Sequence, residues 1–319
     1  MIPVIQIDNL TKDYEIGFAR KRKVRALDGL SLEVGRGETF GFLGANGAGK
    51  TTTLKLLMRL IYPTGGSAKI LGRDIDDISM HQRIGYLPEN PYFYDYLSAR
   101  ELVEYFASLF GISGTARKAK ATELLQRVHL DEKSWDKQLR KFSKGMLQRV
   151  GLAQALVNDP EVVFLDEPMS GLDPIGRRQV RDLITELKIH GTTVFMCSHI
   201  LSDIEVLCDR VAIMNRGKLS ATGRLDELRG QGQDEQSFEI TVTSQNISEL
   251  ARGLTSIVGS SVTTTPVGVR VIVAAESDID EVMMQMRKLS GRLVSVQPVR
   301  QSLEELFFSE SVDTKISGD

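Results

Sequence analysis

The run Gly44-Ala45-Asn46-Gly47-Ala48-Gly49-Lys50-Thr51 spells G-x-x-x-x-G-K-T. It is set between an apolar stretch, Thr39 to Leu43, that alternates well enough to be a strand, and a segment in which Leu54, Leu57, Met58 and Ile61 recur at helical spacing. A strand that passes through a glycine loop straight into a helix fits an α/β fold and few others. Glycines at 44, 47 and 49 let the backbone curl so that successive N–H groups point inward, and the helix starting near Lys50 adds the positive end of its dipole. Such a nest holds the phosphates of a nucleoside triphosphate. Lys50 is placed to reach the β- and γ-phosphates, and Asn46 and Thr52 fall among the nucleotide-binding positions. The Thr51 hydroxyl is an oxygen donor suited to a magnesium ion that bridges phosphates.

The rest of the chain supplies the sheet that this loop needs. Glu161 to Asp166 and Thr192 to Cys197 read as strands on either side of a helix from Pro174 to His190, with Asp173 at its N-cap and Gly191 just past its end. Strand, helix, strand implies parallel pairing with a helical crossover. Between about Pro88 and Val157 nearly everything reads helical, as a subdomain inserted in the first domain, residues 1–230. Gly230-Gln231-Gly232-Gln233-Asp234-Glu235 is polar and without periodicity, the best linker candidate. Beyond it, Phe238 to Val242, Val267 to Val273, and Val294 with Val296 alternate as strands. Ile247, Leu250 and Leu254 mark one helix, and Ile279, Val282, Met283, Met286 and Leu289 a second. The order βαββαβ predicts a small α+β ferredoxin-like domain over 236–310, closed by a short helix from Leu303 to Phe308 and followed by a tail, 311–319. Two of the three methionines at 283, 284 and 286 fall on the apolar helical face, so core packing is favoured over a metal or adaptable surface.

Composition excludes several function classes. The chain has 319 residues, 41% apolar and 26% charged, which is ordinary for a globular protein long enough for two domains. A formal charge of -2 leaves no global basic field for nucleic acid, and the one basic run, Arg20 to Lys23 with Arg25, reads as a solvated hairpin tip. No apolar run approaches the roughly 18 residues of a membrane span. The start, Met1 to Asp8, lacks the regions of a signal peptide. Cys197 and Cys208 are too far apart for a C-x-x-C pair and read as buried reduced thiols.

The second half of the first domain narrows the chemistry. Val162 to Leu165 is an apolar strand ending in Asp166 and Glu167, which places two carboxylates at the carboxyl edge of the sheet, where α/β folds bind ligands. Asp166 is suited to hold magnesium through water, leaving Glu167 free to act on an attacking water; an exposed strand end is the plainer alternative. Further segments fall in a fixed order: Ile84-Gly85-Tyr86-Leu87-Pro88-Glu89, then Phe142-Ser143-Lys144-Gly145-Met146 followed by Gln148-Arg149, then Ser170-Gly171-Leu172-Asp173, then Ser198-His199. With the glycine loop and the carboxylate pair they make six ordered motifs over residues 1 to about 225. Together they resemble the ATP-binding subunit of an ATP-binding cassette transporter, in which they stand for the Q-loop, signature, D-loop and switch histidine.

That resemblance carries specific expectations. The fold is a P-loop ATPase domain with a helical subdomain, hydrolysing ATP with Mg2+. Glu167 is the general base and His199 donates to the γ-phosphate as charge develops; Thr51, Asp166 and Glu89 are the magnesium ligands. Tyr14 occupies the position of an aromatic stacked on adenine, although a lone tyrosine near an early strand is often just partly buried surface. Ser143 and Gly145 open a helix that cradles the nucleotide of the opposite subunit, with Asp173 nearby, so two copies sandwich two ATP molecules. Capping and phosphate contact are compatible roles for Ser143. His81, His129 and His190 read as surface residues.

Two departures stand out: Glu89 where the family usually has glutamine, and Lys144 where the signature usually has glycine, a lysine directed either to the γ-phosphate or to solvent. Both are familiar in the branch serving exporters of drugs, polysaccharides, lipids or ions, as are a small carboxyl-terminal domain and an ending like Leu303-Glu304-Glu305-Leu306-Phe307. The expected partners are a membrane permease and a second ATP-binding subunit, a homodimer being the simplest, with no nucleic acid; the expected location is the cytoplasmic face of the membrane. Tyr92, Phe93, Tyr94 and Tyr96 stand where the family receives the permease's coupling helix, or they are core of the helical region. The rival class is a soluble cassette ATPase acting on ribosomes or nucleic acid; such proteins usually carry two cassettes, a long coiled-coil insertion or zinc cysteines, and none of these is read in this sequence.

Overall fold

The computed structural model describes residues 3–17, 22–230, 237–244, 246–255, 261–265 and 268–298. Arg20, Lys21, most of the linker candidate, the expected Leu303–Phe308 helix and the tail lie outside these. The chain divides into two compact units, Met1–Leu225 and Asp226–Asp319.

In the first unit, β1 (Ile5–Ile16) and β2 (Arg22–Val34) form a hairpin, β3 (Thr39–Gly44) leads through the glycine loop to α1 (Lys50–Leu57), and β4 (Gly65–Ile70) and β5 (Arg73–Asp74) follow. After β6 (Ile84–Leu87) come α2 (Ala99–Leu109), α3 (Gly114–Arg127) and α4 (Lys144–Ala155), with two short 3-10 turns and one isolated bridge, Ser98 to Gln138. Then β7 (Val162–Asp166), α5 (Pro174–Ile189), β8 (Thr193–Ser198), α6 (Leu201–Leu207), β9 (Arg210–Asn215) and β10 (Lys218–Arg224) complete the run; α7 (Leu225–Gly230) falls to the second unit after its first residue, so the first unit ends before the expected 230.

Two sheets result. One is antiparallel in the order β2-β1-β4-β5; the other has the order β10-β9-β3-β8-β7-β6, parallel throughout except for the β9–β10 hairpin. β3, β7 and β8 are buried at every position, on both faces, rather than alternating as Thr39 to Leu43 reads in the sequence. Strands covered on both sides by other layers need apolar residues on both. A core joins β1, β2 and β4 to α1 and to one face of the parallel sheet. Phe42 and Phe164 both lie within 6 Å of the Phe195 ring, 5.2 and 5.7 Å between centroids. Each fully buried phenylalanine contributes about 1.5–3 kcal/mol.

α1 is shorter than its apolar spacing implies. Met58 caps it and Arg59 turns left-handed at φ 56°, so Ile61 reaches the core from the following turn. α5 matches its expected limits closely because its stop and start are chemical. Asp173 accepts from the Gly176 N–H at 2.9 Å, Pro174 needs no donor, and Gly191 is left-handed just beyond the end.

In the second unit, β11 (Phe238–Thr243), α8 (Ile247–Leu254), β12 (Ser261–Thr265), β13 (Gly268–Val273), α9 (Ser277–Lys288) and β14 (Arg292–Pro298) run in that order. The sheet is antiparallel, ordered β12-β13-β11-β14, a split βαβ connectivity. Val282 and Met286 join its core while Met284 is exposed, which is the helical-face assignment made from their spacing.

Candidate active site

The carboxyl ends of β3, β7 and β8 bring three segments together. From β3 comes the glycine loop: Gly47 is at φ 83° and Gly49 at φ 108°. A Cβ on Gly49 would sit 2.8 Å from the Ala26 carbonyl oxygen, so the loop packs too closely for any side chain there. At Gly47 a Cβ would meet no atom within 4 Å, which marks the loop's open side. Lys50 is buried; its ammonium donates to the Gly44 carbonyl at 2.6 Å and lies 3.9 Å from Glu167 Oε1.

From β7 come Asp166 and Glu167. The Thr51 hydroxyl donates to Asp166 Oδ2 at 2.9 Å, whereas Asp166 Oδ1 is buried with no hydrogen-bond partner. Burial, with the nearby charges of Glu89 and Glu167, raises the Asp166 carboxyl to about 6 against the pull of Thr51 and Lys50. Glu167 is 8% exposed and left-handed at φ 51°, uncommon for a residue with a side chain. Its backbone is held on both sides: the N–H donates to the Cys197 carbonyl at 3.0 Å, and the carbonyl accepts from Gln148 Nε2 at 3.1 Å. From β8 comes His199, whose Nδ1 lies 2.8 Å from Glu167 Oε1 while half of its side chain remains exposed.

The remaining sequence candidates form a second cluster. Ser143 caps α4 by accepting from Met146 N–H at 3.2 Å, as its residue type predicts. A Cβ on Gly145 would lie 3.0 Å from the Gly171 carbonyl, and the stem of Lys144 lies against Gly171. Lys144 is thus anchored on the D-loop of its own chain at the stem. Ser143 and Asp173 are exposed helix caps in this neighbourhood.

Other residues are placed as follows. Tyr14, half-buried, has the Lys12 ammonium 5.2 Å from its ring centroid. Glu89 is exposed. Tyr92, Tyr94 and Tyr96 are exposed, Tyr92 at 98%, whereas Phe93 is half-buried beside Gly151. The aromatic run therefore divides into three exposed rings and one half-buried ring. His129 and His190 are exposed, but His81 is half-buried with its Nε2 buried and without a partner, so it is not the surface residue its sequence context implies. Both cysteines are buried and unpaired, and burial pushes the Cys197 thiol far up.

In the sequence Gln148 is only a neighbour of the signature, with no role of its own. Asp203 is likewise unmarked there, although it is buried and held by Arg181 at 2.8 Å. Both are ordinary polar residues on helices. Their partners lie 19 and 22 residues away, so no local spacing flags them.

A glycine loop between strand and helix, a carboxylate pair ending the strand two places along the sheet and a histidine just past the strand between them define a P-loop ATPase. Comparisons with known proteins are narrower. The pattern of the ABC transporter family matches residues 27–170. An uncharacterised ABC transporter ATP-binding protein of Nostoc sp. is 45% identical over 96% of this chain and 89% of its own length. The bacitracin transport ATP-binding protein of Bacillus licheniformis is 40% identical over 76% of each chain. A solved dimeric cassette, MJ0796 in a post-hydrolysis state with ADP and Pi, superposes with a TM-score of 0.65 at 26% identity, covering 69% of this chain and 98% of that one. The chain belongs to the ABC transporter ATP-binding proteins, the ATP-hydrolysing subunits of transporters. No helix among the described residues is long and apolar enough to cross a membrane.

Proposed function

We propose that this chain hydrolyses ATP at the glycine loop with Glu167 as general base and drives a separate membrane permease, working as an exporter. The observation that carries the reading is Glu167 itself: a buried carboxylate 2.8 Å from His199 Nδ1 and 3.9 Å from Lys50 Nζ, at the end of a strand beside the loop. Loop N–H groups and Lys50 bind the phosphates. Glu167 takes the proton from the attacking water, and His199, held by Glu167, faces the γ-phosphate. Gly44, Asn46, Gly47, Gly49 and Thr52 line the phosphate side, and Tyr14 stacks on adenine.

The donor set fits Mg2+. The unpartnered buried Oδ1 of Asp166 and the Thr51 hydroxyl on its Oδ2 put two oxygens of one hard-cation site side by side, and Glu89 adds negative charge near them. When bound, the ion neutralises charge on the phosphate oxygens. In a dimer of two such subunits, Ser143, Gly145 and Asp173 serve the partner's nucleotide; the dimeric MJ0796 cassette supports this. Export and a peripheral position on the cytoplasmic face through a permease are supported by relatives named for bacitracin transport and, in Streptomyces coeruleorubidus, daunorubicin resistance. Glu167→Gln tests the chemistry. ATP turnover should fall by on the order of 100-fold or more while ATP binding persists; near-normal turnover refutes the assignment.

A further inference from the structure

We infer that Gln148 is a positioning residue for the catalytic base: its side-chain amide holds Glu167 in the left-handed conformation from which the carboxylate works. The inference rests on Glu167 being the base. Gln148 is 1% exposed, on the second turn of α4, and Nε2 donates to the Glu167 carbonyl at 3.1 Å. A carbonyl only accepts, so the amide must turn its nitrogen this way. Oε1 is then left buried without a partner. A buried polar atom left unsatisfied is unfavourable unless the placement is fixed by the bond on the other side.

The restraint acts where it is needed. Glu167, at φ 51°, is one of few residues with a side chain in the left-handed region, and such backbones persist only where their surroundings over-determine them. Its N–H is tied to Cys197 on β8. Its carbonyl accepts from the Ser170 N–H at 3.0 Å and from Gln148 Nε2 at 3.1 Å, and Gln148 is the side chain that adds a restraint from a separate helix. A turn of the Glu167 backbone out of its left-handed conformation would swing Oε1 away from His199 Nδ1 and from the Lys50 ammonium. Gln148 also rides on the helix that Ser143 caps, five residues or about 7.5 Å along its axis. A displacement of α4 is therefore felt at the base of the same subunit.

The test is steady-state ATP hydrolysis by the full chain, with Gln148→Met, Gln148→Asn and Glu167→Gln measured side by side. Methionine keeps the length without the donor; asparagine keeps the amide but falls one methylene short. In both Gln148 variants kcat should fall about tenfold while KM for ATP stays within about twofold. Tm should stay within about 2 °C of the parent. Unchanged kcat in either variant, with Glu167→Gln inactive, overturns the inference and leaves the assignment of the base intact. Turnover surviving in Glu167→Gln removes the base and the inference with it. A fall in kcat that comes with loss of ATP binding or of Tm makes Gln148 a general prop of the fold, and that also overturns it.

Discussion

Replacing Asp166 with asparagine should make the nucleotide-free protein more stable at pH 8, although it removes a residue of the candidate magnesium site. The folded-state carboxyl is raised from 3.8 to about 6, chiefly by burial and then by Glu89 and Glu167. A carboxyl with a raised folded pKa favours the folded state only in its protonated form. The cost is absent below 3.8, grows as pH rises through the window, and is complete above about 6. The full shift corresponds to about 3 kcal/mol at roughly 1.4 kcal/mol per pKa unit. Asparagine recovers part of this. Its oxygen can still accept from the Thr51 hydroxyl, but its NH2 must also be buried, so about half the ceiling is a fair expectation. For a unit of this size each kcal/mol moves Tm by about 2–4 °C, giving a gain of about 3–6 °C. The assay is thermal unfolding in EDTA without nucleotide at pH 8, 6 and 4.5. By pH 4.5 the parent's penalty has fallen to about 1 kcal/mol, no larger than the asparagine's own pH-independent cost, so the gain should disappear. No gain at pH 8, or an equal gain at both ends, refutes the claim that a buried ionised carboxylate strains this site.

Two other perturbations separate structural from functional roles. Asp173→Ala removes the cap bond to Gly176 and should cost about 1 kcal/mol, a fall of about 2–4 °C in Tm, largely restored by Asp173→Asn; an unchanged Tm in the alanine variant would show that α5 does not depend on its cap. Tyr92 is 98% exposed, so Tyr92→Ala should leave stability within about 0.5 kcal/mol and ATP binding intact, yet weaken co-purification with a membrane partner; undiminished co-purification removes Tyr92 from that surface.

Much of the site is legible because its chemistry is local. Gly49 is required by its own φ, Ser143 and Asp173 cap the helices they precede, and Asp166 and Glu167 follow the apolar run Val162 to Leu165. Each is a short-range consequence of neighbours within a few residues. What stays hidden is long-range or electrostatic. The packing of the Lys144 stem against Gly171, 27 residues away in sequence, is one such contact. The division of the aromatic run into exposed Tyr92 and half-buried Phe93 depends on Gly151 of α4, and the buried nitrogen of His81 has no counterpart in its sequence neighbours.

Read from the chain alone, a phosphate-binding loop joins a strand to a helix, a carboxylate pair and a histidine end two other strands, and a βαββαβ unit follows. Spacing, caps and glycine positions carry that information because they act over one or two turns of chain. The packed fold adds which carboxylate is charged with difficulty, which oxygen has no partner, and that Gln148 and Cys197 hold the backbone of Glu167 from opposite sides. Those properties arise from burial and from hydrogen bonds between elements far apart in sequence, and desolvation belongs to the packed site as a whole rather than to any residue in it.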